Sequence, residues 1–219
     1  MRGAGGDEAI SMSMNVFKKV PVLGILRGIE ESNIKPLTET VVSAGLQAIE
    51  ITMNTKGAAG LINKMVRRAK GRIAVGAGTV LDKESLKAAL DAGASFIVSP
   101  VLVEDVVKHC VRNKIPVFPG ALTPQEIYNA WNAGATMVKV FPALFFGPEY
   151  FKELKGPFND IKLLACGGVT PENMKQYFEC GASAVAFGAS VFKKEWLDKG
   201  DFASVGAAVK RFTKQGGGV

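Results

Sequence analysis

The sequence predicts an α/β chain folded as a single (β/α)8 barrel of the TIM type, preceded by an N-terminal helix. Two observations carry this. Eight strand-like runs, each followed by a helix candidate, fit within about 200 residues, the economy of a parallel barrel. In addition, one short pattern occurs four times. Ser43-Ala-Gly-Leu-Gln-Ala-Ile, Asp91-Ala-Gly-Ala-Ser-Phe-Ile, Asn132-Ala-Gly-Ala-Thr-Met-Val and Glu179-Cys-Gly-Ala-Ser-Ala-Val align on Gly45, Gly93, Gly134 and Gly181. Each interval holds two strand–helix units, so the repeat is a quarter of a barrel and marks its even-numbered strands. An open doubly wound sheet is the structural competitor; the fourfold repeat favours closure.

Taken in order, residues 1–14 read as a leader, expected to be disordered, with Met12 and Met14 as alternative starts. A helix over 7–19 leads into Pro21. The strand-like runs are Val22–Leu26, Ala48–Thr52, Arg72–Ala77, Phe96–Pro100, Pro116–Pro119, Met137–Phe141, Lys162–Cys166 and Ala184–Phe187, apolar and rich in β-branched residues. The helix candidates are 31–44, 55–70, 82–92, 103–113, 123–133, 148–155, 171–180 and 201–215. Thr123-Pro124-Gln-Glu126 and Thr170-Pro171-Glu172 place threonine at a helix N-cap and proline in the first turn. The four repeat glycines suit helix C-terminal ends. Nothing resembles a linker, so 15–215 reads as one barrel domain, with 216–219 as a Gly-rich, disordered tail.

The repeat also sets a register. Five residues after each glycine come Glu50, Val98, Lys139 and Ala186. Alternate strands of such a barrel contribute one side chain each to an interior layer. These four therefore share a layer containing one carboxylate, one amine and two small apolar groups. Two residues further on, Thr52, Pro100, Phe141 and Gly188 form the layer nearer the C-terminal mouth. A buried ammonium is costly, which favours the neutral amine, a nucleophile towards carbonyls. The competing readings are a lysine snorkelling from a strand end and a merely structural Glu50–Lys139 ion pair. Such pairs stabilise poorly beside apolar replacements, which favours chemistry.

Composition excludes several classes. A chain of 219 residues that is 47% apolar can bury a sizeable core. No apolar run reaches the length of a membrane span, and the N-terminus lacks the apolar stretch of a signal peptide. Cys110, Cys166 and Cys180 are odd in number and have no CxxC spacing. That argues against disulfides or a zinc site and for the cytoplasm. The net charge of +7 is scattered rather than clustered, which argues against nucleic acid and leaves mild attraction for an anionic small substrate, or no role at all. The single histidine, His109, falls within a helix candidate, and no metal is expected.

Further motifs sit at strand ends. Gly76-Ala-Gly78-Thr79 closes the third strand, with Thr79 offering a hydroxyl. Cys166-Gly167-Gly168-Val-Thr-Pro-Glu closes the seventh and Phe187-Gly188-Ala-Ser190 the eighth, where barrels of this kind often bind phosphate on backbone N–H groups. Ordinary tight turns are the alternative there. Arg27, after the first strand, is either a carboxylate ligand or a surface arginine.

With these motifs in place, the chain resembles the class I 2-keto-3-deoxy-6-phosphogluconate (KDPG) aldolases, a family that includes the 4-hydroxy-2-oxoglutarate (KHG) and 6-phosphogalactonate enzymes. The likeness spans about 16–212. It rests on Ile-Leu-Arg-Gly (25–28), Ile-Glu-Ile-Thr (49–52), Val-Gly-Ala-Gly-Thr-Val (75–80), Ser-Pro (99–100), Phe-Pro-Gly (118–120), Lys-Val-Phe-Pro-Ala (139–143) and Gly-Gly-Val-Thr-Pro-Glu-Asn (167–173). The resemblance implies Lys139 as the Schiff-base lysine and Glu50 as the proton-transfer group. It implies a pyruvate pocket with Gly78, Thr79 and Pro100, and a phosphate site with Gly167, Gly168, Gly188 and Ser190. It also implies a homotrimer with no cofactor and no metal, acting on a phosphorylated keto acid. Two positions depart from the common pattern. Asn54 stands where many members carry arginine, as it does in the phosphogalactonate enzymes, which leaves Arg27 to hold the carboxylate. Cys166 stands where threonine is frequent. Both bear on the C4 epimer preferred. The rival functions are a phosphosugar isomerase or synthase with Lys139 as an electrostatic group, and a non-catalytic phosphosugar- or nucleic-acid-binding barrel.

Overall fold

A computed structural model describes residues 19–217. The leader, all but the last residue of the helix expected over 7–19, and the final two residues of the tail lie outside them. The strands are β1 (Val22–Leu26), β2 (Ala48–Thr52), β3 (Ala74–Gly78), β4 (Ile97–Val98), β5 (Val117–Phe118 with Gly120–Ala121), β6 (Val138–Val140), β7 (Leu163–Cys166) and β8 (Ala184–Phe187). All pairings are parallel.

The barrel closes at Pro119. Val117–Phe118 pairs with β4 and Gly120–Ala121 pairs with β6, and these two pieces are the ends of the sheet order. Proline has no N–H to offer a ladder, so the strand is interrupted there. The ladder continues around the break: Ser99 N–H donates to the Phe118 carbonyl (3.2 Å) and Lys139 N–H to the Pro119 carbonyl (2.9 Å). The run expected over 116–119 is thus longer, continuing to Ala121.

Between the strands lie α1 (Glu31–Ser43), α2 (Ala58–Ala69), α3 (Lys83–Asp91), α4 (Glu104–Arg112), α5 (Pro124–Asn132), α6 (Gly147–Lys155), α7 (Met174–Glu179), α8 (Lys194–Asp198) and α9 (Phe202–Gly216). Gly45, Gly93, Gly134 and Gly181 adopt φ of 82°, 94°, 99° and 96°, the left-handed conformation that ends a helix at little cost to glycine. At α5, Thr123 is the expected N-cap, and with Glu126 it forms a capping box.

Three expectations are corrected. First, α7 begins at Met174 and not at Pro171. Thr170 still receives the Met174 N–H on its carbonyl (3.0 Å), but Thr170 and Asn173 exchange side-chain bonds across a turn that precedes the helix. Second, the five-residue α8 has too short an apolar stripe to be visible in sequence. Third, Gly216 is the last residue of α9 rather than the start of the tail.

The pleat divides the core in two. Ile49, Ile51, Val138, Val140, Leu163 and Val185 pack outward against the helices. Ala48, Val98, Met137, Leu164, Cys166, Ala184 and Ala186 fill the interior with Leu23, Phe96 and Phe118. Phe96 and Phe118 meet edge to face at 5.8 Å inside the barrel.

Candidate active site

Because Ile49 and Ile51 face outward, the intervening Glu50 faces the barrel axis; Val138 and Val140 orient Lys139 in the same way. All four residues read from the glycine repeat thus face the barrel interior, Val98 and Ala186 within its apolar cluster. Glu50 is 1% exposed and Lys139 7%; they are the two buried charged side chains among the described residues. They do not form a contact ion pair, and Glu50 Oε2 has no hydrogen-bond partner. An orphaned buried carboxylate oxygen is expensive, so this oxygen is available to a ligand or water. The ion-pair alternative is thereby removed.

Burial pushes the Glu50 carboxyl above the ordinary carboxylate range, while the Lys139 ammonium and then the Arg27 guanidinium pull it back. Cys166, one level nearer the mouth on β7, is buried, and desolvation raises its thiol; Lys139 opposes this through charge and a hydrogen bond. The Lys139 ammonium also lies 5.2 Å from the Phe141 ring centroid. Lysine, thiol and carboxylate are thus gathered inside the barrel, with the Phe141 ring over the lysine on the side of the cleft.

Gly78 makes that space possible. A Cβ there would overlap the Glu50 carboxylate, although the backbone itself would accept alanine. Gly78→Ala is expected to displace Glu50 and lower kcat by about tenfold or more with the fold retained. Steady-state kinetics alongside a thermal melt would check this.

Above the layer, Arg27, Phe141, Cys166, Gly167, Gly168, Gly188 and Ser190 line one cleft of about 360 Å3. Gly167 and Gly168 have φ of 94° and 78°, which bends the backbone tightly against Pro142 and Leu144. Pro100 joins Phe141 along an adjoining hollow between β4 and β5. Thr52 is fully buried at the mouth end of β2. Thr79 follows β3 at φ 55°, a costly conformation for a β-branched residue. The buried Ser99 holds it there by donating from Oγ to the Val80 carbonyl (2.7 Å), while the Val80 N–H bonds Val98 (3.2 Å).

Asn54, like Glu50, Thr52, Gly78, Thr79 and Lys139, is not among the residues lining the two hollows, and unlike those five it is exposed, on the turn after β2. His109 is exposed on α4, away from the mouth. Sequence reasoning missed Ser99 and Thr55 as buried hydroxyls tying strand ends together. A polar residue just beyond a strand is the available signal, and it is a weak one. Among the described residues no group of three His, Cys, Asp or Glu side chains could hold a metal ion, and no helix is long and apolar enough to cross a membrane.

Comparison with known proteins places this geometry in context. The family model described as KDPG and KHG aldolase matches residues 13–208. The chain is similar to 2-dehydro-3-deoxy-6-phosphogalactonate aldolase of Escherichia coli (strain K12), 35% identical over 80% of this chain and 86% of the relative. It is also similar to 2-dehydro-3-deoxy-phosphogluconate aldolase of Pseudomonas aeruginosa, 33% identical over 85% and 83%. Among solved structures, 2-keto-3-deoxy-6-phosphogluconate aldolase from Zymomonas mobilis ATCC 29191 superposes with a TM-score of 0.82 at 29% identity, covering 92% of this chain and 96% of the other.

Proposed function

The chain belongs to the KDPG and KHG aldolase family, and from that premise we propose how its site cleaves a 2-keto-3-deoxy-6-phospho-aldonate to pyruvate and glyceraldehyde 3-phosphate. It is an aldolase of the Schiff-base class, a carbon–carbon lyase. The observation that carries the assignment of roles is the inward pair Glu50 and Lys139, buried in one layer without a direct ion pair.

In this reading the Lys139 amine adds to the C2 ketone, and loss of water leaves an iminium. Glu50, directly or through water, takes the proton of the C4 hydroxyl. The C3–C4 electrons flow into the iminium, giving an enamine and releasing the aldehyde. Glu50 returns a proton to C3, and hydrolysis frees pyruvate and the lysine. A carboxyl whose burial raises its pKa while nearby cations limit the rise suits both directions of transfer. Thr79, Pro100 and Phe141 flank the pyruvate end, with Thr52 on the wall above Glu50. Arg27 takes the carboxylate. Gly167, Gly168, Gly188 and Ser190 receive the distal phosphate. The imine is the electron sink, so no metal or other cofactor takes part.

The galactonate epimer is the second reading, favoured by the similarity to the E. coli enzyme. KHG cleavage to pyruvate and glyoxylate is the third. A cytoplasmic homotrimer accompanies this reading. Leu144, Phe145 and Phe146, 64%, 75% and 56% exposed, offer apolar surface for the assembly.

A coupled pyruvate-release assay on the phosphogluconate, phosphogalactonate and non-phosphorylated hydroxy-oxoglutarate substrates tests the proposal. Turnover of a phosphorylated substrate at least about tenfold above the non-phosphorylated one, undiminished by EDTA, is expected. Preference for the non-phosphorylated substrate would remove the phosphate site.

A further inference from the structure

Two strand ends at the mouth are joined through one buried hydroxyl. Thr55 is 5% exposed. Its Oγ1 accepts the Gly28 N–H (3.0 Å) and lies 3.1 Å from Thr52 Oγ1. Its own N–H donates to the Thr52 carbonyl (2.9 Å), and its carbonyl accepts the Ala58 N–H (3.1 Å) at the start of α2. Thr55 is thus anchored to β2 and α2 on every polar atom, and it reaches across to the end of β1. Gly28 has φ of 64°, a conformation in which the chain turns sharply straight after Arg27. The bonded N–H belongs to the Arg27–Gly28 peptide plane, so the bond to Thr55 sets that plane and, with it, the direction in which the Arg27 side chain leaves the backbone.

We propose that Thr55 is a positioning residue for Arg27, and so determines substrate affinity from outside the cleft. The proposal rests on the reading of Arg27 as the substrate's anion ligand. Arg27 is exposed and lines the cleft from a loop. Without a fixed peptide plane its long side chain would explore many directions, and the entropy of selecting one would fall on binding. A hydroxyl is the smallest group that can accept the Gly28 N–H while also meeting Thr52. Valine matches its shape but leaves both partners unpaired.

Thr55→Val is expected to raise KM about 5- to 30-fold with kcat within about threefold of the unaltered enzyme, and Thr55→Ser is expected to restore KM. The decisive comparison repeats Thr55→Val in an Arg27→Ala background. If Thr55 acts through Arg27, the second substitution adds less than about twofold to KM there. The same 5- to 30-fold rise in both backgrounds, or a loss of kcat at unchanged KM, overturns the proposal. Thr55→Ala gives the same cycle should the valine variant not fold. Borohydride trapping of pyruvate on Lys139 separates the two levels. Trapping that succeeds while the cycle shows no coupling overturns the Thr55 proposal alone; trapping that fails in the unaltered protein overturns the aldolase site and the proposal with it.

Discussion

Lys139→Ala is expected to lower kcat by about ten-thousandfold or more, to the background of the assay, while leaving the barrel folded. No other described residue supplies an amine inside the barrel, since Lys139 is the buried lysine, and a covalent intermediate has no substitute once its nucleophile is gone. Removing the ammonium also takes a cation away from Glu50 and Cys166, which lets the carboxyl accept a proton and so avoids a buried unpaired charge. Lys139→Arg separates the rival roles. It keeps a positive charge within the layer but has no nucleophilic amine at neutral pH. An electrostatic role in an isomerase or synthase would survive in part in the arginine variant; imine chemistry would not. Borohydride with pyruvate followed by peptide mapping should place one pyruvyl group on the peptide containing Lys139. Label elsewhere, or activity in Lys139→Arg above about one-hundredth of the unaltered enzyme, would exclude the mechanism.

The second large effect belongs to Glu50. Glu50→Gln preserves shape and volume but cannot take a proton from the C4 hydroxyl, and kcat is expected to fall by about 100- to 10,000-fold. Imine trapping with pyruvate should persist, because the amine is still present. The pH dependence carries a sign. The buried carboxyl has a folded-state pKa above its unfolded value of 4.5. The base form needed for cleavage is therefore lost on the acid side at a higher pH than for an ordinary glutamate, and the acid limb of kcat/KM should vanish in Glu50→Gln. Stability runs the other way. In the window above 4.5 and below the raised pKa, the folded state holds a proton that the unfolded state has released. Stability therefore falls as pH rises through this window, by up to about 1.4 kcal/mol per pH unit. Glu50→Gln should flatten this slope and melt higher than the unaltered protein at neutral pH. Melting temperatures of the two proteins measured from pH 4 to 8 check this, and equal slopes in both would contradict it.

Much of this site was legible before any coordinates. The glycine repeat located the even strands, and counting five residues from each glycine brought Glu50 together with Lys139. That inference succeeds because strand periodicity is 2 and barrel layers alternate by strand, so position along the chain fixes inward or outward. The strand–helix alternation and the Thr123 N-cap were equally plain, since both depend on neighbours close in sequence. Errors gathered where non-local contacts decide. The α7 start moved to Met174 because Asn173 found a partner in Thr170 and the backbone of Gly168. Asn54 was named from the family resemblance alone; it stands exposed on the turn after β2.

The sequence by itself determined the barrel, its register and the chemical types in its core, because those follow from periodicities of a few residues. Tertiary structure alone decided that Glu50 and Lys139 stay apart rather than paired. It also decided that Gly78 vacates the space for the carboxylate and that Ser99 and Thr55 hold the loops around it. Each of these depends on atoms brought together from segments nineteen or more residues apart, at separations of a few ångströms that no pattern along the chain encodes.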